Sequence, residues 1–142
     1  LDHFIQGRFQ KTVAQIFQDV GETEFRNIER NMLHEVGEFE NIVIATGGGT
    51  PCFFDNIDYM NRVGTTVYLK AQPEALVSRL NTCKDKRPLS KDKDEEELYT
   101  FGMESLEKRE PYYSKAGIIF ETDRLFSKDD VTEYIQQITG LL

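Results

Sequence analysis

The sequence holds no tryptophan, four prolines and two cysteines in 142 residues. Cys52 and Cys83 are too few for a disulfide framework, and their spacing matches no zinc site. His3 and His34 stand without partners at metal-ligand spacing and read as structural. No apolar run approaches the roughly 18 residues that a membrane span needs, and no signal peptide is legible, so a cytoplasmic location is the expectation. Positive charge is also in short supply: 17 Lys plus Arg face 25 Asp plus Glu, a formal net charge of −8. That balance speaks against a nonspecific nucleic-acid binder, because phosphate attraction wants a basic surface. Small anions stay open as ligands, since a few local arginines can outvote the global charge.

What is present is ordinary globular composition, with 39% hydrophobic residues and ten phenylalanines. The length suits one compact domain over residues 1–142. Thr12 with Gln15 predicts a capping box that opens a short helix, with Val13, Ile16, Phe17 and Val20 on its apolar face and Gly21 as its end. A second helix is predicted over about 23–39, with Phe25, Ile28, Met32, Val36 and Phe39 as its buried stripe. Ile42–Thr46, bounded by Asn41 and three glycines, predicts a strand buried on both faces. Further strands are predicted over Thr65–Leu69 and Gly117–Glu121. Helices are predicted from Pro73, over about 95–109, and from a Ser127–Asp130 cap through Tyr134, Ile135 and Ile138. Between Lys84 and Glu97 every residue but Leu89 is polar, charged or proline, the composition of a surface loop.

Strands alternating with helices call for a parallel sheet with helices on both faces, a three-layer α/β architecture. Three predicted strands make a thin sheet for so many helices, and the chain opens abruptly at Leu1-Asp2-His3-Phe4. Both features lead us to expect a further strand, loop and helix ahead of Leu1.

The sharpest local feature is Gly47-Gly48-Gly49 directly after an apolar run. Glycines there strip side chains from the carboxyl end of a strand, where open α/β sheets bind ligands. By itself the run also fits a flexible turn. Arg26 and Glu29 stand at i and i+3, which fits an exposed ion pair or a guanidinium held by a carboxylate and aimed at an anion. Arg87, in Lys86-Arg87-Pro88, is a solvated loop cation or a lid cation for a triphosphate. Arg79 fits a base-stacking role as well as a snorkelling one. Lys108 and Arg109 are expected beside the negative pole of a helix, where capping alone accounts for them. The acidic run Asp92–Glu97 reads as solvated, Phe53-Phe54 as core, and Asp2 alone carries no signal.

Taken together, five short motifs resemble shikimate kinases in order and spacing: Asp2, Phe25-Arg26-Asn27-Ile28-Glu29, Ala45-Thr46-Gly47-Gly48-Gly49, Arg87-Pro88-Leu89 and Arg109-Glu110-Pro111-Tyr112-Tyr113. The resemblance implies a P-loop kinase fold of the nucleoside-monophosphate-kinase type. It implies a substrate-binding helical segment over about 3–40 and a lid over about 84–96. It also implies transfer of the ATP γ-phosphate to the 3-hydroxyl of shikimate in aromatic amino-acid biosynthesis, with Mg²⁺ as cofactor. By position, Arg26 and Arg109 would grip the shikimate carboxylate, Gly47, Gly48 and Gly49 would line it, and Asp2 would hold ring hydroxyls. Arg87 would meet the phosphates and Arg79 the adenine. A monomer acting on shikimate and ATP, without nucleic acid or membrane, is the accompanying expectation.

One departure stands out. The sequence contains no G-x-x-x-x-G-K-[ST] loop to cradle phosphates, and the family places that loop well ahead of the position of Asp2. The second acid of the family's Asp-x-Asp pair would fall just before Leu1, so metal ligands are expected outside this chain. Two alternatives remain in view at this level: a sister kinase acting on a small hydroxy acid such as gluconate, and a noncatalytic module that keeps the shikimate pocket.

Overall fold

The computed structural model describes residues 1–73, 75–76, 95–122 and 128–142. They form two compact units, Leu1–Thr66 and Val67–Leu142.

The first unit is helical. Helix α1 spans Asp2–Phe9 and buries one side chain, Ile5. Helix α2 spans Val13–Gly37. Its N-terminus is the predicted capping box: the Gln15 N–H donates to Thr12 Oγ1 (3.2 Å), and the Thr12 N–H donates to Gln15 Oε1 (2.9 Å). The break predicted at Gly21 is present as a kink with φ 78° and ψ 172°, a left-handed backbone that favours glycine. Ile5, Ile16 and Phe25 make the core, with Val13, Phe17, Ile28 and Met32 packed on it. An ion pair from Arg8 to Glu35 links α1 to α2 at the surface. Helix α2 ends at Gly37, so Phe39 falls beyond it, half exposed, and meets Phe4 edge-on. A single 3-10 turn, Thr50–Cys52, leads into helix α3, Asn56–Val63, which buries Ile57 and Tyr59.

One element differs from expectation. The run 42–46 is irregular rather than a strand, and Val43 is 99% exposed. An apolar run creates a demand for burial but does not provide the neighbouring strands that meet it. Among the described residues no strand pairs with this one. Its fixed point is the Leu1 nitrogen, which donates to Ala45 O (2.6 Å) and sets the start of α1 beside the glycine run.

In the second unit, strands β1 (Val67–Lys70) and β2 (Ile118–Glu121) pair in parallel, Val67 opposite Ile118 and Lys70 opposite Glu121. Helix α4, Glu95–Tyr113, lies between them in the chain, the strand–helix–strand order that parallel pairing requires. The helix expected to close at residue 109 runs on through Pro111. Pro111 forfeits its own N–H bond to the Glu107 carbonyl, and the helix ends two residues later at Tyr113. Lys108 and Arg109 therefore lie before the last turn, which holds no basic residue, and the expected dipole-capping role is not observed. A helical turn opens at Pro73, where the Leu76 N–H donates to Gln72 O (3.0 Å). Helix α5, Lys128–Thr139, closes the chain and sets Tyr134 edge-on against Phe120. Arg79, Arg87, most of the lid segment 84–96 and the Ser127 cap lie outside the described residues.

Candidate active site

The site in the first unit grows from the register of α2. Residues 25, 29, 33 and 36 all face inward, so the stripe that buries Phe25, Leu33 and Val36 also buries Glu29, which is 3% exposed. A buried carboxylate needs compensation. Arg26 Nη1 supplies it at 2.8 Å from Glu29 Oε2, and the Arg26 side chain is only 17% exposed. The surface ion pair expected from the i, i+3 spacing is thus a largely buried one. Glu22 adds a longer contact to Nη2 at 3.5 Å.

Phe53 stacks beneath this guanidinium, 4.1 Å from ring centroid to Cζ, and Phe25 lies 5.4 Å away. Phe53 therefore supports a cation by cation–π attraction instead of filling core. Its neighbour Phe54, also expected in the core, is half exposed and lies 5.2 Å from the Arg30 guanidinium. Arg30 in turn pairs with Asp55 at 2.8 Å.

The glycine run meets the same guanidinium. Gly49 has ordinary helical dihedrals, φ −80° and ψ −34°. A Cβ there would lie 3.1 Å from both Arg26 Nη1 and Nη2. Its side chain is missing to make room for Arg26, not to relieve the backbone. Beside it, Asp2 Oδ1 comes within 3.8 Å of where a Gly47 Cβ would stand. The structure brings Asp2, Arg26, Gly47 and Gly49 into one neighbourhood, with Gly48 between the two glycines.

Two residues that carry no signal in the sequence complete it. Thr50 is fully buried, and its hydroxyl donates to Glu29 Oε1 (2.7 Å). Asn56, also fully buried, donates from Nδ2 to Thr50 O (2.9 Å). Only the place of Glu29 in the apolar stripe hints that a polar partner must exist.

Arg109 lies in the second unit, half-buried on α4. Its neighbour Glu110 accepts hydrogen bonds from Tyr68 Oη (2.8 Å) and Lys70 Nζ (3.0 Å), which tie α4 to β1. Burial works to raise the Glu110 pKa, but the hydrogen bonds from Lys70 and Tyr68 outweigh it and hold the carboxyl below its ordinary value. The Tyr68 phenol is pushed up, first by burial and then by its bond to Glu110. A cleft of about 640 Å³ opens between Lys70, Tyr99, Met103 and Glu107 of this unit. Among the described residues, no three His, Cys, Asp or Glu side chains stand together as a metal site.

The parallel strand pair with its helices in one unit, and the helical unit that carries the packed arginine beside a glycine run, match the α/β fold of solved P-loop kinases. The shikimate kinase family profile matches residues 1–139. Curated shikimate kinases from Parabacteroides distasonis and Bacteroides fragilis are 52% and 51% identical over all 142 residues, which cover 82% and 79% of those proteins. A crystal structure of shikimate kinase from Bacteroides thetaiotaomicron superposes with a TM-score of 0.93 at 47% identity, covering 99% of this chain and 80% of that one. The Acinetobacter baumannii enzyme, solved in complex with shikimate, gives 0.77 at 28% identity, covering 98% and 76%. The chain belongs to the shikimate kinase family.

Proposed function

We propose that this protein transfers the γ-phosphate of ATP to the 3-hydroxyl of shikimate, giving 3-phosphoshikimate and ADP. The observation that carries the assignment is the Arg26 guanidinium, packed between Glu29, Phe53 and Gly49 beside Asp2. Arg26 and Arg109 grip the carboxylate, for which planar guanidiniums suit better than Lys. Gly47, Gly48 and Gly49 line the ligand, their backbone open to close approach. Asp2 orients the 3-hydroxyl and takes its proton as the oxygen attacks the γ-phosphorus and the bond to the β-phosphate oxygen breaks. Arg87 meets the phosphates and Arg79 the adenine. Mg²⁺, if bound with ATP, would neutralise charge on the phosphates, its protein ligands being expected outside this chain. We further infer one domain over 1–142, its substrate-binding helical segment at about 3–40 and its lid at about 84–96, in a cytoplasmic monomer with no nucleic-acid or membrane partner.

The test is ADP release from ATP and Mg²⁺ by the purified protein, with and without shikimate. Shikimate-dependent release is expected. Release that follows gluconate instead would assign a sister kinase. Shikimate binding without release would leave a binding module.

A further inference from the structure

We propose that the buried Thr50 hydroxyl is a positioning residue for the Arg26 guanidinium, acting through Glu29; this rests on the assignment of Arg26 to the shikimate carboxylate. Glu29 has two oxygens and uses them differently. Oε2 takes Arg26 Nη1 at 2.8 Å, and Oε1 takes the Thr50 hydroxyl at 2.7 Å. With Oε1 turned to Thr50, Glu29 meets the guanidinium through Nη1 alone. A bidentate Glu29 would claim the second nitrogen as well and turn the planar fork toward α2.

Thr50 can play this part because it cannot move. It is fully buried, its N–H donates to Gly47 O (3.1 Å), and its carbonyl accepts from the fully buried Asn56 at 2.9 Å. The 3-10 turn thus fixes the hydroxyl from both sides. The chain Asn56, Thr50, Glu29, Arg26 joins two helices and the glycine turn in one hydrogen-bonded path. Arg26 is held in addition by Phe53 below and Gly49 at its edge. What Thr50 adds is the division of the Glu29 carboxylate, which leaves Nη2 with only the long contact to the exposed Glu22 (3.5 Å) for an incoming anion to displace.

The experiment is calorimetric titration of the full chain with shikimate and with its neutral carboxamide. The proteins compared are wild type, Thr50→Val, Thr50→Ser and Arg26→Ala. Valine keeps the branched shape and removes the donor. We expect Thr50→Val to weaken shikimate about tenfold, the scale of a lost hydrogen bond to a charged group, while carboxamide affinity stays within about twofold. Thr50→Ser restores wild-type shikimate affinity. Equal weakening of both ligands would reduce Thr50 to a packing role and overturn the proposal, as would unchanged shikimate affinity in Thr50→Val. Loss of shikimate binding in Arg26→Ala but not in Thr50→Val sinks the Thr50 role alone. No loss in Arg26→Ala sinks the Arg26 assignment beneath it. Should valine prevent folding, Thr50→Ala supplies the same ratio of acid to amide.

Discussion

Arg26 shows how one side chain inherits its function from its neighbours. It is held by a buried carboxylate at 2.8 Å and backed by an aromatic ring at 4.1 Å, with a glycine against its edge. Each contact removes freedom that a ligand would otherwise have to remove on binding. Gly49 gives the cleanest test. Alanine suits its φ of −80°, so the backbone pays no penalty, yet the added Cβ would stand 3.1 Å from two guanidinium nitrogens. We expect Gly49→Ala to cost about 1 kcal/mol of stability, the low end for overpacking. Shikimate affinity should fall about tenfold, because a displaced guanidinium loses its alignment. A chemical-denaturation midpoint and a shikimate titration on the same sample check both halves.

Elements differ in how far the sequence reveals them. The capping box at Thr12, the break at Gly21 and the two strands around Tyr68 and Ile119 were legible, because each rests on local chemistry that the chain carries with it. Helix α1 was not, since Ile5 is its single buried residue and one residue makes no period. The run 42–46 looked like a strand because its composition is a strand's, while pairing is a property of its neighbours. In the site, the Arg26–Glu29 spacing was visible. Thr50 and Asn56 were not, because their bonds cross from one element to another without periodicity. The link between β1 and α4 carries a prediction of its own. Glu110 titrates below its ordinary value in the folded protein, so its contribution is present above that value and is lost as pH falls through the lowered one. We expect the melting midpoint of the wild type to drop on acidification through this window, and Glu110→Gln to start lower and show a flatter acid limb. Parallel curves for the two proteins would contradict the sign.

At the scale of the molecule, a net charge of −8 must coexist with anionic ligands. Long-range repulsion is screened over about 8 Å at physiological salt, whereas a guanidinium acts at contact, so local arginines prevail once the ligand arrives. Binding to the folded state alone raises stability by about 2.7 kcal/mol at a hundredfold excess over Kd. Saturating shikimate is therefore expected to raise the unfolding midpoint by several degrees, and gluconate at equal concentration to leave it in place. Thermal scans with each ligand decide it, and protection by gluconate alone would move the protein to the sister-kinase reading.

The ring of Phe53 has one more effect. With a phenyl face 4.1 Å below it, the guanidinium has one flat side closed, and what it offers a newcomer is its rim. A rim of coplanar N–H bonds directs an anion to approach edge-on, with its accepting oxygens in the guanidinium plane. The stack therefore sets a direction of approach as well as giving support, fixing the angle at which an anion arrives where charge alone would accept it from any side.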